Sequence, residues 1–464
     1  MRKHKEIFLY PYPKKKIQKS IALIFPERYE VGMASLGFQG VYHLLQSYPF
    51  LSVERFFYQG EQKPLSIETG RPLEEFDVLM VSLSFELDIL HLMEMLSLSG
   101  ISLENTKRSH PPIVIGGIGC SLLAGYLKHI ANLIITTDAE FALPHVVEAL
   151  LSHKENWWNF CFSDEGIYRP EDITSHHKAF TSHPIATPLH TVILTPDNEF
   201  PMRGLVEISR SCLYRCGFCL VSHLYGAYQP FSKESILTTA TLYKGKTNHL
   251  GLVAATLTNH PDFESIIDEL NRMGFELSFS AFRIETLSPS LLEKIIINEK
   301  KTLVLAPEAA SERQKRLIRK MIHNEIFLDK VRQATAIGIK RIKLYFLIGL
   351  PQETEEDLKE MVTLIKEIVS LSKQQAKIYG YTPEIIVDIN PLVPKPFTDF
   401  SNEEMEEVSL LKKKILFIKQ SVHGLGRVFV SGESPRRAKL QYDLAWGKLS
   451  WQEILQLVRK PERK

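Results

Sequence analysis

Three cysteines carry the most chemical information in the chain. Cys212, Cys216 and Cys219 lie in the run CLYRCGFC, with the spacing C-x3-C-x2-C. Thiolates are soft ligands that suit iron–sulfur clusters and zinc. A four-iron cluster normally takes four thiolates. Three would leave one iron without a protein ligand, and a metal with an open position can bind a small molecule directly, as catalytic zinc binds water. His223, four residues past Cys219, offers a second reading: a Cys3His zinc set in a recognition module without redox chemistry. The other two cysteines, Cys120 and Cys161, read as buried small hydrophobes. Five cysteines in 464 residues, an odd number, are not a disulfide framework.

The cysteine run leaves the end of an apolar strand, Leu205–Ser209. Beyond it, strands are expected at Gly251–Leu257, Glu276–Phe282, Thr302–Ala306, Arg341–Ile348 and Ile385–Asn390, with helices between them. Six βα units imply a parallel (β/α)6 partial barrel over residues 202–400. In such barrels chemistry sits at the C-terminal strand ends. Residues 1–151 show a shorter βα series, with strands at Ile21–Phe25, Phe76–Ser84, Pro112–Ile115 and Ile130–Thr136. Helices are expected at Gly37–Leu45, Asp88–Leu98 and Pro144–Leu151. This is a Rossmann-like parallel sheet, which places Gly116, Gly117, Cys120 and Asp138 at ligand-binding strand ends. Residues 152–201 have weak periodicity and read as a connector. Its histidines, His153, His176, His177, His183 and His190, match no common metal spacing. Residues 401–464 read as a helical extension with a strand at Arg427–Val430. The fold class is therefore α/β throughout, ending in a helical tail.

Composition narrows the function. Lys plus Arg is 56 and Asp plus Glu is 54, so the formal net charge is +2. That balance does not indicate a nucleic-acid partner. The basic start, Met1 to Lys16, has no apolar run after it and fails as a secretory signal. No stretch of about 18 apolar residues suggests a membrane span. A cytoplasmic location is expected, where clustered thiols mean metal or catalysis.

The cysteine spacing, with Phe218 just before the last cysteine, resembles the signature of the radical S-adenosylmethionine (SAM) enzymes. Two further runs share the resemblance, and a third run ends a neighbouring strand. KLYFLIGLPQET (Lys343–Thr354) resembles the turn that closes the fifth barrel strand, with Gln352 in place of the usual glycine. APEAASER (Ala306–Arg313) resembles the end of the fourth strand, with Ala310 in place of a glycine. FSAFRIE (Phe279–Glu285) ends the third. The resemblance implies a 4Fe–4S cluster on Cys212, Cys216 and Cys219, whose open iron chelates SAM. Reductive cleavage would then give methionine and a 5′-deoxyadenosyl radical. It also implies SAM contacts from Arg283, Glu308 and Ser311, an adenine platform at Leu347, Ile348 and Gly349, and an electron donor such as ferredoxin or flavodoxin. The substrate is open, with methyl or methylthio transfer among the outcomes seen in relatives.

A narrower resemblance covers nearly the whole chain. YEVGMASLGFQGVYHLL, LSIETGRPLEEFDVLMVSLSFELDI and INPLVPKP look like the radical SAM subgroup whose N-terminal domain is related to cobalamin-binding domains. Cobalamin is thus a further cofactor to test. The D-x-H-x-x-G motif, whose histidine ligates cobalt, is absent around His43, His91, His129 and His145. The family's glycine-rich strand end is TTDAEF here, keeping Asp138 and Glu140 but neither glycine.

Overall fold

This computed structural model describes residues 4–153, 155–161, 166–173, 185–298 and 302–459. His176, His177 and His183 lie outside them. The chain forms two compact units. One comprises Met1–Glu207, Leu224–Leu250 and Asp443–Lys464; the other comprises Ile208–His223 and Gly251–Tyr442.

In the first unit, five parallel strands run in the order Leu51–Phe57, Lys19–Phe25, Val78–Ser82, Ile113–Gly116, Leu133–Ile135. Ile167–Tyr168 adds an antiparallel edge. The strand Lys19–Phe25 is flanked on both sides, and its residues from Ser20 to Phe25 are all buried, the near-continuous apolar run expected of a covered parallel strand. Ile21, Leu23 and Phe25 pack with Phe38, Val78, Val146 and Trp157 in one core.

Two expectations fail here, each for a local reason. The strand Leu51–Phe57 was not expected, because LSVERFF carries Glu54 and Arg55 at its centre. Arg55 is 1% exposed and ion-paired to Glu6 and Glu68, both at 2.7 Å. Glu54 takes hydrogen bonds from Ser66 at 2.5 Å and Thr69 at 2.6 Å. Partners remote in sequence thus make a charged strand burial-compatible. The expected strand Ile130–Thr136 shrinks to Leu133–Ile135, because Ile130 ends an unexpected helix, Cys120–Ile130. Cys120 opens that helix and is fully buried. Burial pushes its thiol up, and that of Cys161 up to about 12, as the packing reading of both requires.

In the second unit, Thr302–Glu308, Arg341–Ile348, Glu384–Pro391 and Val428–Ser431 form a parallel sheet in that order. Along Arg341–Ile348, Ile342, Leu344, Phe346 and Ile348 are buried, while Lys343, Tyr345 and Leu347 are half-buried. That period of two marks one covered face and one more open face. Strands His249–Val253 and Glu276–Phe279 neighbour each other in a separate sheet. Ile208 continues that sheet, its N–H bonding Val253 O at 2.9 Å. The strand expected in the C-terminal extension, observed at Val428–Ser431, is the outer strand of the four-stranded sheet. Helices Val408–Val422, Pro435–Ala445 and Trp451–Arg459 make the rest of the tail. No helix among the described residues is long and apolar enough to cross a membrane.

Candidate iron–sulfur and SAM site

Every residue expected at the site lies at the C-terminal end of a strand in the second unit or on the loop that follows. The cysteine loop starts after Ser209–Arg210. Its first residue, Ser211, sits at φ 65°, a left-handed conformation that costs a non-glycine residue about 1–3 kcal/mol and is found at functional turns. All three thiols are partly exposed, unlike Cys120 and Cys161.

The loop is fastened at its centre. Gly217 N–H bonds Ile318 O at 2.9 Å, and Asp399 N–H bonds Gly217 O at 3.0 Å. A Cβ at Gly217 would lie 3.4 Å from Asp399 Oδ2 and 3.5 Å from Leu317 O, so the loop packs here in ordinary van der Waals contact with both segments. Phe218 packs against a small core of Ala309, Ile318, Leu350, Leu392 and Phe400. The aromatic residue before the last cysteine is therefore the loop's apolar anchor.

Asp399 also binds His223 Nε2 at 3.3 Å and Arg319 Nε at 3.1 Å. His223 Nδ1 lies 2.8 Å from Cys219 O. Both ring nitrogens are thus engaged away from the thiols, and the Cys3His zinc set is not assembled. Among the described residues no three His, Cys, Asp or Glu side chains converge on one metal ion. Three soft ligands on one loop suit an iron–sulfur cluster with one open iron.

Two polar side chains reach the thiols. Thr256 Oγ1 lies 3.6 Å from Cys212 Sγ, and Arg283 Nη1 donates to Cys216 Sγ at 3.8 Å. Arg283 is held in place by Glu285 Oε1, 2.6 Å from its Nε, and by the Tyr214 ring, 4.0 Å below its guanidinium carbon. Burial raises the Cys216 thiol, and the positive charges of Lys320 and Arg283 oppose that. Thr256 and Asp399 were not expected from the sequence. Thr256 was findable as a polar residue just past a strand end, but Asp399, 180 residues from Cys219, carries no local signal.

The expected SAM contacts divide. Glu308 sits at φ 63° beyond an irregular register in its strand, with Oε1 3.0 Å from Lys320 Nζ. Ser311 has a different job. It caps the helix Glu312–Leu317 by accepting Gln314 N–H at 3.2 Å, and it donates to Asp357 Oδ1 at 2.6 Å. Its proton is engaged by Asp357 and it is 3% exposed, so in this structure it serves the helix start. Asp357 is the hub of that corner. Burial alone would raise its carboxyl, but hydrogen bonds from Ser311, Thr354 and Arg313 outweigh it and hold the group at about 2.

At the fifth-strand turn, Leu347 is half-buried beside the small core that Phe218 joins, whereas Ile348 is fully buried. The Leu347 side chain thus keeps an open side, while the Ile348 side chain packs inward. Gly349 has φ 72°, and a Cβ there would meet Leu411 at 2.9 Å. Gln352, where the motif usually has glycine, adopts φ 58°, so the turn keeps the glycine-type backbone despite the side chain.

The first unit holds a cavity of about 520 Å³. Its walls include Tyr10, Gly40, His43, Asp138, Glu140 and His190. Tyr10 OH donates to His190 Nε2 at 2.6 Å, and His190 Nδ1 bonds Pro188 O at 2.9 Å. Burial, then His190, lowers the His43 pKa and favours its neutral imidazole. The connector histidine His190 is thus a hydrogen-bonded core residue, and His153 stacks on Phe160 with centroids 3.7 Å apart.

Residues 37–160 match the sequence model of radical SAM proteins, N-terminal, and residues 206–365 match that of the radical SAM superfamily. An uncharacterised protein of Methanocaldococcus jannaschii is 24% identical over 418 residues, covering 88% of this chain and 84% of its own. A tRNA-2-methylthio-N(6)-dimethylallyladenosine synthase of Finegoldia magna is 23% identical over 288 residues, with 58% and 57% coverage. Among solved structures, the cobalamin-dependent S-adenosylmethionine radical enzyme OxsB, with aqua-cobalamin and S-adenosylmethionine bound, superposes with a TM-score of 0.56 at 15% identity. That match covers 85% of this chain and 61% of OxsB, and at such identity it speaks for the fold alone.

Proposed function

We propose, from the premise that this chain belongs to the radical SAM superfamily, that Cys212, Cys216 and Cys219 hold a 4Fe–4S cluster at which SAM is cleaved reductively. When bound, the cluster supplies the electron that converts SAM to methionine and a 5′-deoxyadenosyl radical. The protein's own residues do the rest. Gly217 and Phe218 fix the loop, Leu347 and Gly349 offer a flat apolar edge for adenine, and Glu308 offers a carboxylate for a ribose hydroxyl. The observation that carries the reading is the donor set: three partly exposed thiols on one fastened loop, with His223 turned away. An electron donor of the ferredoxin or flavodoxin class would deliver the electron.

The test is direct. Anaerobically reconstituted protein should be brown and should release 5′-deoxyadenosine from SAM after reduction. Alanine at any one of the three cysteines should abolish both. Colourless protein with stoichiometric zinc would overturn the reading.

Cobalamin-assisted methyl transfer is the finer reading, supported by the fold shared with OxsB and by the cavity in the first unit. Its walls carry carboxylates and a neutral imidazole, His43. Roughly 300–1,000 Å³ suits a drug-sized ligand, so a corrinoid, which is larger, would place only part of itself there. Titration with hydroxocobalamin, followed by its visible spectrum, tests this. A spectrum identical to that of the free cofactor would rule it out.

A further inference from the structure

The donors to the thiols have a consequence beyond holding the loop. We propose that Arg283 and Thr256 set the reduction potential of the cluster, Arg283 through its contact with Cys216 Sγ at 3.8 Å and Thr256 through its contact with Cys212 Sγ at 3.6 Å. This rests on the assignment of those cysteines as cluster ligands.

The physics is electrostatic. Reduction adds one electron from an external one-electron donor, makes no bond and breaks none, and leaves the site one charge more negative. Hydrogen bonds to cluster sulfurs and nearby charge are among the terms that set such potentials. A donor or cation beside a thiolate stabilises the more negative state and raises the potential. Arg283 supplies both a donor and a permanent charge. Its guanidinium cannot swing freely, because Glu285 holds Nε and Tyr214 lies under the plane. Thr256 supplies only a hydroxyl. It is 5% exposed, so its dipole acts in a water-poor setting where such terms are larger.

Arg283 is therefore a tuning residue rather than solely an anion clamp. The expectation from the sequence is a SAM contact. The structure shows its Nε, Nη1 and ring-facing surface already used within the protein.

The experiment is a redox titration of the reconstituted full-length protein, without SAM, followed by the electron paramagnetic resonance signal of the reduced cluster. Wild type, Arg283→Gln, Arg283→Lys and Thr256→Val are compared, with iron and sulfide counted in each. At the wild-type midpoint, the ratio of reduced to oxidised cluster should fall about tenfold in Arg283→Gln, which is ~59 mV for a one-electron couple. Arg283→Lys, which keeps the charge, should fall less. Thr256→Val, which removes only the hydroxyl, should fall about threefold. Iron and sulfide content should match wild type, which a merely structural role would not predict together with a shifted potential. Unchanged midpoints at full cluster content would overturn the proposal alone. A wild-type protein that takes up no cluster would overturn the parent assignment and this proposal with it.

Discussion

Asp399 does more for the cysteine loop than any residue inside the motif except the cysteines. Its backbone N–H holds Gly217, and its carboxylate holds both His223 and Arg319. Asp399→Ala would leave the buried His223 ring nitrogen without its partner, at a cost of about 1–3 kcal/mol. The expected outcome is reduced iron content after reconstitution, with the far-ultraviolet circular dichroism unchanged; full iron content would show that the two backbone bonds suffice. A second residue-scale prediction concerns Asp88 in the first unit. Burial raises its carboxyl to about 6, despite a hydrogen bond from Phe85 N–H at 3.0 Å. The folded state therefore binds the proton more tightly than the unfolded chain, whose aspartates titrate near ~3.9. The resulting stabilisation is full below that value and is lost as pH rises through about 6. Asp88→Asn keeps an acceptor for Phe85 and should flatten the fall in melting temperature between about pH 4 and about pH 6. An unaltered profile would show that another group sets it.

At the scale of elements, the fifth-strand turn is braced by the C-terminal extension. Glu353 Oε2 accepts Gly349 N–H at 3.0 Å and Lys414 Nζ at 2.7 Å, and Lys414 also meets Glu406 at 2.6 Å. Lys414 comes from the helix Val408–Val422. Removing one partner of a buried ion pair costs about 3–5 kcal/mol, because the other charge is left stranded. Lys414→Met should thus lower the denaturation midpoint strongly and weaken SAM binding. Glu353→Gln, which keeps an acceptor for Gly349, should leave SAM affinity nearly intact. Similar affinities in the two variants would mean the brace does not reach the turn. The strand Arg341–Ile348 was legible to the residue in the sequence, because its apolar alternation ends at a glycine–proline turn. The helix after it was legible too, through the acidic residues Glu355, Glu356 and Asp357 at its start. The strand Leu51–Phe57 was not, since its central charges are neutralised by Glu6, Glu68 and Ser66, which no local window contains. The bond of Ser311 to Asp357, 46 residues on, is invisible for the same kind of reason, although its motif position can be read in the sequence.

On the whole-molecule scale, the chain combines an open parallel sheet with a second unit whose strand ends converge on one cysteine loop. The formal charge of the chain is close to balance, at +2. The chain spans 57% of the Finegoldia synthase and 61% of OxsB, so their substrates are hypotheses for this protein, to be tested by product mass spectrometry. The central claim concerns one iron left open by three cysteines. Its most direct test is the electron paramagnetic resonance spectrum of the reduced, reconstituted protein with and without SAM. Direct chelation of SAM predicts a changed spectrum on addition, saturating at one SAM per cluster. A spectrum indifferent to SAM, in protein with full cluster content, would contradict the account.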